Sequence, residues 1–299
     1  ANVAGSGVPP RSERRYVPDE VITEFSSTAT PQSIDLLARR YNLTRLESQA
    51  FSLIGVTIYR WHINGRRSVP DTIGAIEDQR IVARVQPNYL FALQEDAPRV
   101  SARTRGGDSP QYALGKLQIE RAHQVATGKN VAIAVIDSEI DMKHPDLQGT
   151  IAKSFDALGG DETPQSHGTA MAGAIAAHGK LSGTAVGPQL LAARAFDNTA
   201  GGAKATSFAI YKSLQWAADN GARVINMSFA GPADPNMHRM LTAAYDKGIV
   251  LVAAAGNAGP NSAPLYPAAD PDVIAVTATD SNDGLFKMAN RGSYIAVAA

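Results

Sequence analysis

The chain contains no cysteine. Disulfides, thiolate metal sites and a cysteine nucleophile are therefore excluded, although the compartment is not fixed by this. Aromatic residues make up only 6% of the sequence, which offers no obvious stacking platform for nucleic-acid bases. Neither sign of charge is in excess: 28 Lys and Arg stand against 28 Asp and Glu, spread along the chain. That argues against nucleic acid as a partner. No apolar run reaches the roughly 18 residues that a membrane-spanning helix needs. What remains is an ordinary apolar share of 44% and 299 residues, enough for two domains. The sequence begins at Ala1 rather than at a methionine, as expected of a processed or trimmed product.

Residues 1–18 carry Gly5, Gly7, Pro9, Pro10 and a mixed-charge run, and are expected to form a flexible tail. Element types then alternate through residues 19–96. Glu20–Phe25 reads as a strand and Pro31–Tyr41 as a helix, with Pro31 in its first turn. Strand-like runs fill residues 44–63. Ser68 can cap a short helix ending at Ile76, and Arg80–Val85 reads as a further strand. The order β-α-β-β-α-β predicts a small α+β domain of ferredoxin-like type. Residues 97–112, with Pro98, Gly106, Gly107 and Pro110 among three arginines and one aspartate, read as a linker.

From residue 113 the pattern changes. Short apolar runs recur at 131–136, 190–195, 223–227, 249–254 and 273–277, with helix-like segments at 167–177, 206–219 and 237–247. Strands that are apolar throughout are buried on both faces. This predicts an α/β fold, a doubly wound and mostly parallel sheet between helices. Functional groups of such sheets gather at the carboxyl ends of the strands. Asp137 and Asn257 are both expected there.

Asp137 ends the run Val-Ala-Ile-Ala-Val-Ile. It is either a strand-end turn former or a buried carboxylate that needs a hydrogen-bond donor such as an imidazole N–H. His167 opens His-Gly-Thr-Ala-Met-Ala-Gly, whose small residues let a helix approach a sheet closely. His62, His123, His144, His178 and His238 lack that setting. Asn257, in Ala-Gly-Asn-Ala-Gly-Pro, is either a turn residue or an amide donor to a developing oxyanion.

In order and context together, Val131–Leu147, His167–Gly173, Val224–Pro232, Leu251–Pro260 and Tyr266–Thr277 resemble the subtilisin-like serine proteases (subtilases). The small domain, ending in Val85-Gln86-Pro87-Asn88-Tyr89, resembles the inhibitory propeptide of that family. The resemblance implies a secreted or periplasmic endopeptidase zymogen, with peptide or protein as substrate and its own propeptide in the cleft. Asp137 would orient the imidazole, and His167 would act as general base and then general acid. Asn257 would supply the oxyanion donor. Ser228, Phe229, Ala230 and Gly231 would pair with substrate backbone. With Ala254, Ala255 and Gly256 they would wall the pocket for the residue before the scissile bond. Small walls leave room for a large apolar side chain, which Ala230, where relatives often have glycine, would narrow.

Three departures accompany the resemblance. Glu139 stands where the family has glycine after Asp-Ser or Asp-Thr, and is expected to point to solvent, the alternative being a bias of the site towards positive charge. Asp146 matches a calcium ligand of the family. The loop that should complete that site reads His178-Gly179-Lys180-Leu181-Ser182, short and without carboxylates. Hard calcium needs several oxygens, so no cofactor is expected and calcium is left open only in principle. Finally, Gly-Thr-Ser occurs nowhere, and Ser228, Ser262, Ser281 and Ser293 match other positions of the family. The expectation is a catalytic domain truncated before its nucleophilic serine, inactive alone, with the serine carried by a separate C-terminal segment. The alternatives are a non-catalytic binding protein on a protease scaffold and a nucleotide-binding domain. The latter lacks a Gly-x-Gly-x-x-Gly turn.

Overall fold

The computed structural model describes residues 6–94, 111–160, 163–199 and 202–299. Most of the expected linker at 97–112 lies outside them. The amino-terminal part runs β1 (Tyr16–Phe25), α1 (Pro31–Tyr41), β2 (Leu43–Phe51), β3 (Val56–Ile63), α2 (Val69–Ile76) and β4 (Val82–Leu93). Its four strands form an antiparallel sheet in the order β2-β3-β1-β4. Val21, Trp61, Ile63 and Val85 on that sheet meet Ile34 and Leu37 of α1 and Ile73 and Ile76 of α2 in a core of their own. The helix ends follow from sequence. Thr30 and Ser33 cap α1 reciprocally, and Ser68 accepts from Asp71 at the start of α2.

Residues expected in the flexible tail are tied down. Tyr16 and Val17 belong to β1, and Ser6 Oγ and Gly7 N–H both donate to Glu77.

The larger part continues with α3 (Tyr112–Lys116), α4 (Ile119–His123), β5 (Ala132–Asp137), β6 (Ile151–Asp156), α5 (Ser166–Ala176), β7 (Gln189–Arg194), β8 (Asp197–Thr199) and β9 (Gly202–Thr206). Then come α6 (Ser207–Asp219), β10 (Val224–Met227), β11 (Phe229–Ala230), α7 (Pro235–Asp246), β12 (Val250–Ala254), β13 (Ile274–Thr277) and β14 (Val297–Ala298). Seven strands make a sheet in the order β14-β13-β12-β10-β5-β7-β6, parallel at each pairing. One face packs Ile133, Val135 and Leu190 against Ala172 and Ala176 of α5. The other packs Ala134, Ile136 and Ile225 against Phe208 and Leu214 of α6 and Met240 of α7.

That second core continues into the amino-terminal sheet through Ile22, Phe51 and Ile58. The two parts also share a sheet. β4 outruns its own domain, pairing antiparallel with β9 (Phe91 opposite Ala205) and with β11 (Ala92 opposite Ala230).

Candidate active site

Parallel register aligns the carboxyl ends. Val135, Asn226 and Val252 are level across β5, β10 and β12. Two residues further on, Asp137, Ser228 and Ala254 therefore come out at one edge, with Asn257 just beyond.

Asp137 is 0% exposed. Its Oδ1 accepts from Ser138 N–H at 2.7 Å and from Ser138 Oγ at 3.2 Å. His167 Nδ1 lies 2.8 Å from Oδ1 and 3.0 Å from Oδ2. A carboxylate with no water around it needs this set of donors to remain charged. The pair fixes the proton on Nδ1, which makes Nε2 the basic nitrogen.

Helix α5 holds the imidazole. Its second residue is His167, and its third, Gly168, sits against the Asp137 turn. A Cβ at Gly168 would come within 2.3 Å of Ser138 O, so only glycine lets the helix start so close to the strand end. The Gly168 N–H donates to Ser138 Oγ at 3.1 Å, so Ser138 ties Asp137 to the start of the helix that carries His167. Sequence reasoning gave Ser138 no role of its own.

Asn257 follows β12 as placed by the sequence. Its loop is fastened by the fully buried Asn290, which accepts from Ala258 N–H at 2.9 Å and donates to Ala255 O at 2.9 Å. No motif surrounds Asn290, so sequence reasoning missed it. Ala230, Ala255 and Gly256 are buried between this loop and β11. Ser228 Oγ receives Asn226 Nδ2, and Ser262 Oγ donates to Ala263 O.

β4 lies between β9 and β11 and ends beside the strand-end residue Ser228. Just past the strand, the Gln94 N–H donates to Ser228 O at 3.3 Å and its Oε1 accepts from Asn257 N–H at 2.8 Å. A cavity of about 630 Å³ beside α5 takes in Asp141, Asp146 and Thr169 but neither Asp137 nor His167.

Glu139 does not point to solvent. It is 9% exposed, its carbonyl accepts Gln165 N–H at 2.8 Å, and it lines a small cavity with Asp156 and Arg194. Asp146 is also buried. Its two oxygens accept the N–H groups of Lys180 and Leu181 at 2.9 and 2.8 Å, and these bonds hold its pKa below the ordinary aspartate value. Amide hydrogens aimed at both oxygens do not fit a calcium ion. Among the described residues, no group of three or more His, Cys, Asp or Glu could hold a metal.

The contact between the two parts is built on Asp234, which precedes α7. It accepts from Asn236 and Met237 N–H, from Tyr211 and Ser207 of α6, and from Gln86 of β4 at 2.8 Å. Burial, then the Asp234 charge, pushes the Tyr211 phenol well up; the same two causes raise Tyr89 of β4.

A strand-end Asp hydrogen-bonded to a histidine on the adjoining helix is an arrangement suited to acid–base chemistry in a hydrolase. A family model described as Subtilase family matches residues 128–299, and one described as Fervidolysin N-terminal prodomain matches residues 3–88. The chain belongs to the subtilase family of serine proteases and carries its propeptide. It is 39% identical to thermitase of Thermoactinomyces vulgaris over 199 residues, covering 64% of this chain and 70% of that protein. It is 34% identical to the thermophilic serine proteinase of Bacillus sp. (strain AK1) over 305 residues, covering 95% and 70%. Fervidolysin from Fervidobacterium pennivorans, a keratinolytic enzyme related to subtilisin, has the same fold, with a TM-score of 0.76 at 24% identity. The match covers 95% of this chain but 47% of fervidolysin. The relatives lend no support to a separate serine-bearing segment.

Proposed function

We propose that the intact protein is an endopeptidase made as an inactive precursor, in which residues 19–96 block the cleft until they are cut away. The observation that carries this is β4. It pairs with β9 on one side and β11 on the other and reaches Ser228 O through the Gln94 N–H, so an extended peptide already lies along the sheet edge that carries Asp137.

In this reading His167 Nε2 takes the proton of a serine hydroxyl as that oxygen attacks the carbonyl, then returns it to the departing amine. Asp137 holds the tautomer and stabilises the imidazolium. The Asn257 side chain donates to the oxyanion. Residues 228–231 and 254–256 bind substrate backbone and the side chain before the cut. Residues 97–112 serve as linker and 113–299 as the amino-terminal part of the catalytic domain. The nucleophile belongs to a Gly-Thr-Ser outside these 299 residues. A domain that inhibits until export suits a secreted enzyme. No helix among the described residues is long and apolar enough to cross a membrane.

The test is hydrolysis of a denatured protein by the full-length precursor before and after removal of its propeptide. Activity should emerge with removal, and the 299-residue chain alone should show none. Turnover by a highly purified sample of that chain would overturn the assignment of the nucleophile.

A further inference from the structure

Among the last residues of the strands in the parallel sheet there is one cation. In spatial order these residues are Ala298, Thr277, Ala254, Met227, Asp137, Arg194 and Asp156. The final three are level with one another: Arg194 of β7 is the register partner of Asp137 on one side and of Asp156 on the other. Leu190 and Ala192 share the α5 face of the sheet with Ile133 and Val135. The alternation of a strand then sets Arg194 and Asp137 on that face too. Arg194 is 4% exposed. Its Nη1 donates to Asp156 Oδ2 at 3.2 Å, and its Nη2 lies 3.6 Å from Asp197 Oδ2. With Ser138, Glu139 and Asp156 it walls a polar cavity of about 100 Å³ at the Asp137 turn, roomy enough for ordered water to serve its Nε.

Carboxylates outnumber this cation. Asp137, Glu139 and Asp141 lie at the end of β5 and in its turn, Asp156 ends β6 and Asp197 opens β8. Lys204 of β9 is level with Asp197 rather than with the pair. α5 carries no acid or base other than His167. Nearby negative charge favours an imidazolium, and nearby positive charge opposes it. An arginine stays charged at every working pH, and burial spares its field most of the screening by salt.

We infer that Arg194 is a positioning residue of the Asp137–His167 pair, whose fixed charge keeps the imidazole a neutral base in a site crowded with carboxylates. The inference rests on the protease reading above and adds a residue to its machinery. The test is the pH dependence of kcat/KM for the processed full-length protein. In Arg194→Gln the acid limb should move up by about half a unit to one unit, and Arg194→Lys should return it to the parent's position. Damage to packing alone lowers the profile at every pH and leaves the limb where it was, a result that overturns the role. Asp156→Asn removes a carboxylate from the same row and should move the limb down. It decides the matter if Arg194→Gln does not fold, since an unmoved limb shows that charge in this row does not reach the pair. In the 299-residue chain the same variants are read from the NMR titration of the His167 imidazole. Failure of the protease reading looks different: no hydrolysis profile is obtained, while equal imidazole midpoints in the parent, Arg194→Gln and Asp156→Asn would still overturn the role of Arg194.

Discussion

Asp137 shows how one side chain can fix the chemistry of another. Oδ1 is held by the Ser138 N–H at 2.7 Å, so in Asp137→Asn the amide oxygen must take that position. The amide nitrogen then faces His167 Nδ1. An N–H donor there forces the ring proton onto Nε2, the atom that must act as base. The variant should fold as the parent does and lose about four orders of magnitude in kcat, the loss seen for this substitution in a serine protease. Steady-state hydrolysis by the processed full-length protein, with circular dichroism as the folding control, decides it. Unchanged turnover would remove Asp137 from the mechanism.

Asp146 makes a second argument at this scale. Its folded pKa is lowered, chiefly by the Lys180 and then the Leu181 N–H. Its stabilising effect is therefore fully present above the ordinary aspartate value, about 3.9, and lost as pH falls through the lower folded value. Asp146→Asn should lower the melting temperature at neutral pH and flatten its acid dependence. Chelators should leave the parent's melting temperature unchanged if the amides hold this carboxylate alone.

Among the elements, those buried on both faces were legible. The apolar runs at 131–136, 190–195 and 249–254 became β5, β7 and β12 within one residue at either end. Edge elements were not. β6, Ile-Ala-Lys-Ser-Phe-Asp, is half polar because it borders solvent, and β9, Gly-Ala-Lys-Ala-Thr, reaches the core only through the small Ala203 and Ala205, too weak an apolar signal to read. β4 was expected to stop at Val85, but it continues to Leu93 through Pro87, which pairs with Val21. Asp137, His167 and Asn257 were readable because each carries a local motif. Gln94, Ser138 and Asn290 act through contacts that no local pattern encodes.

The N-termini of α6 and α7 yield the next prediction. Asp234 serves as cap for α7 and acceptor for α6 and β4, so Asp234→Ala strands the Tyr211 and Ser207 hydroxyls and uncaps α7. Each buried group left unsatisfied costs roughly 1–3 kcal/mol, and the summed loss should be about 3 kcal/mol or more in urea unfolding. Alkali should loosen the same contact. Tyr89 and Tyr211 have raised pKa values, from burial first and the Asp234 charge second. Their contribution is fully present below the ordinary phenol value, about 10, and is lost as pH rises towards the folded values. Tyr211→Phe should weaken that alkaline loss, measured by tyrosinate absorbance alongside unfolding.

For the whole molecule the question is what keeps the propeptide in place. Two candidates differ in size. Ion pairs border the contact, Glu24 with Arg239 and Glu47 with Lys212, all partly open to water. Such pairs contribute about 0–1 kcal/mol each and are screened by salt. Phe91 belongs to the other class. It is fully buried between Phe229 and Gly231, in a core that runs from one part of the protein into the other. Truncating a buried phenylalanine costs about 3–5 kcal/mol, and each 1.4 kcal/mol is tenfold in affinity. If apolar burial holds the propeptide, Phe91→Ala should raise its inhibition constant against the processed enzyme by about two to three orders of magnitude. Arg239→Ala should then raise it less than about tenfold, and high salt should act no more strongly than Arg239→Ala does. The reverse ranking would show that the contact is electrostatic. Release would then follow ionic strength rather than the cutting of the chain. Cutting at β4 acts differently, since it frees the end of the strand while Phe91 stays seated. The propeptide should therefore remain a tight inhibitor after processing, and activity should appear only as the propeptide itself is degraded.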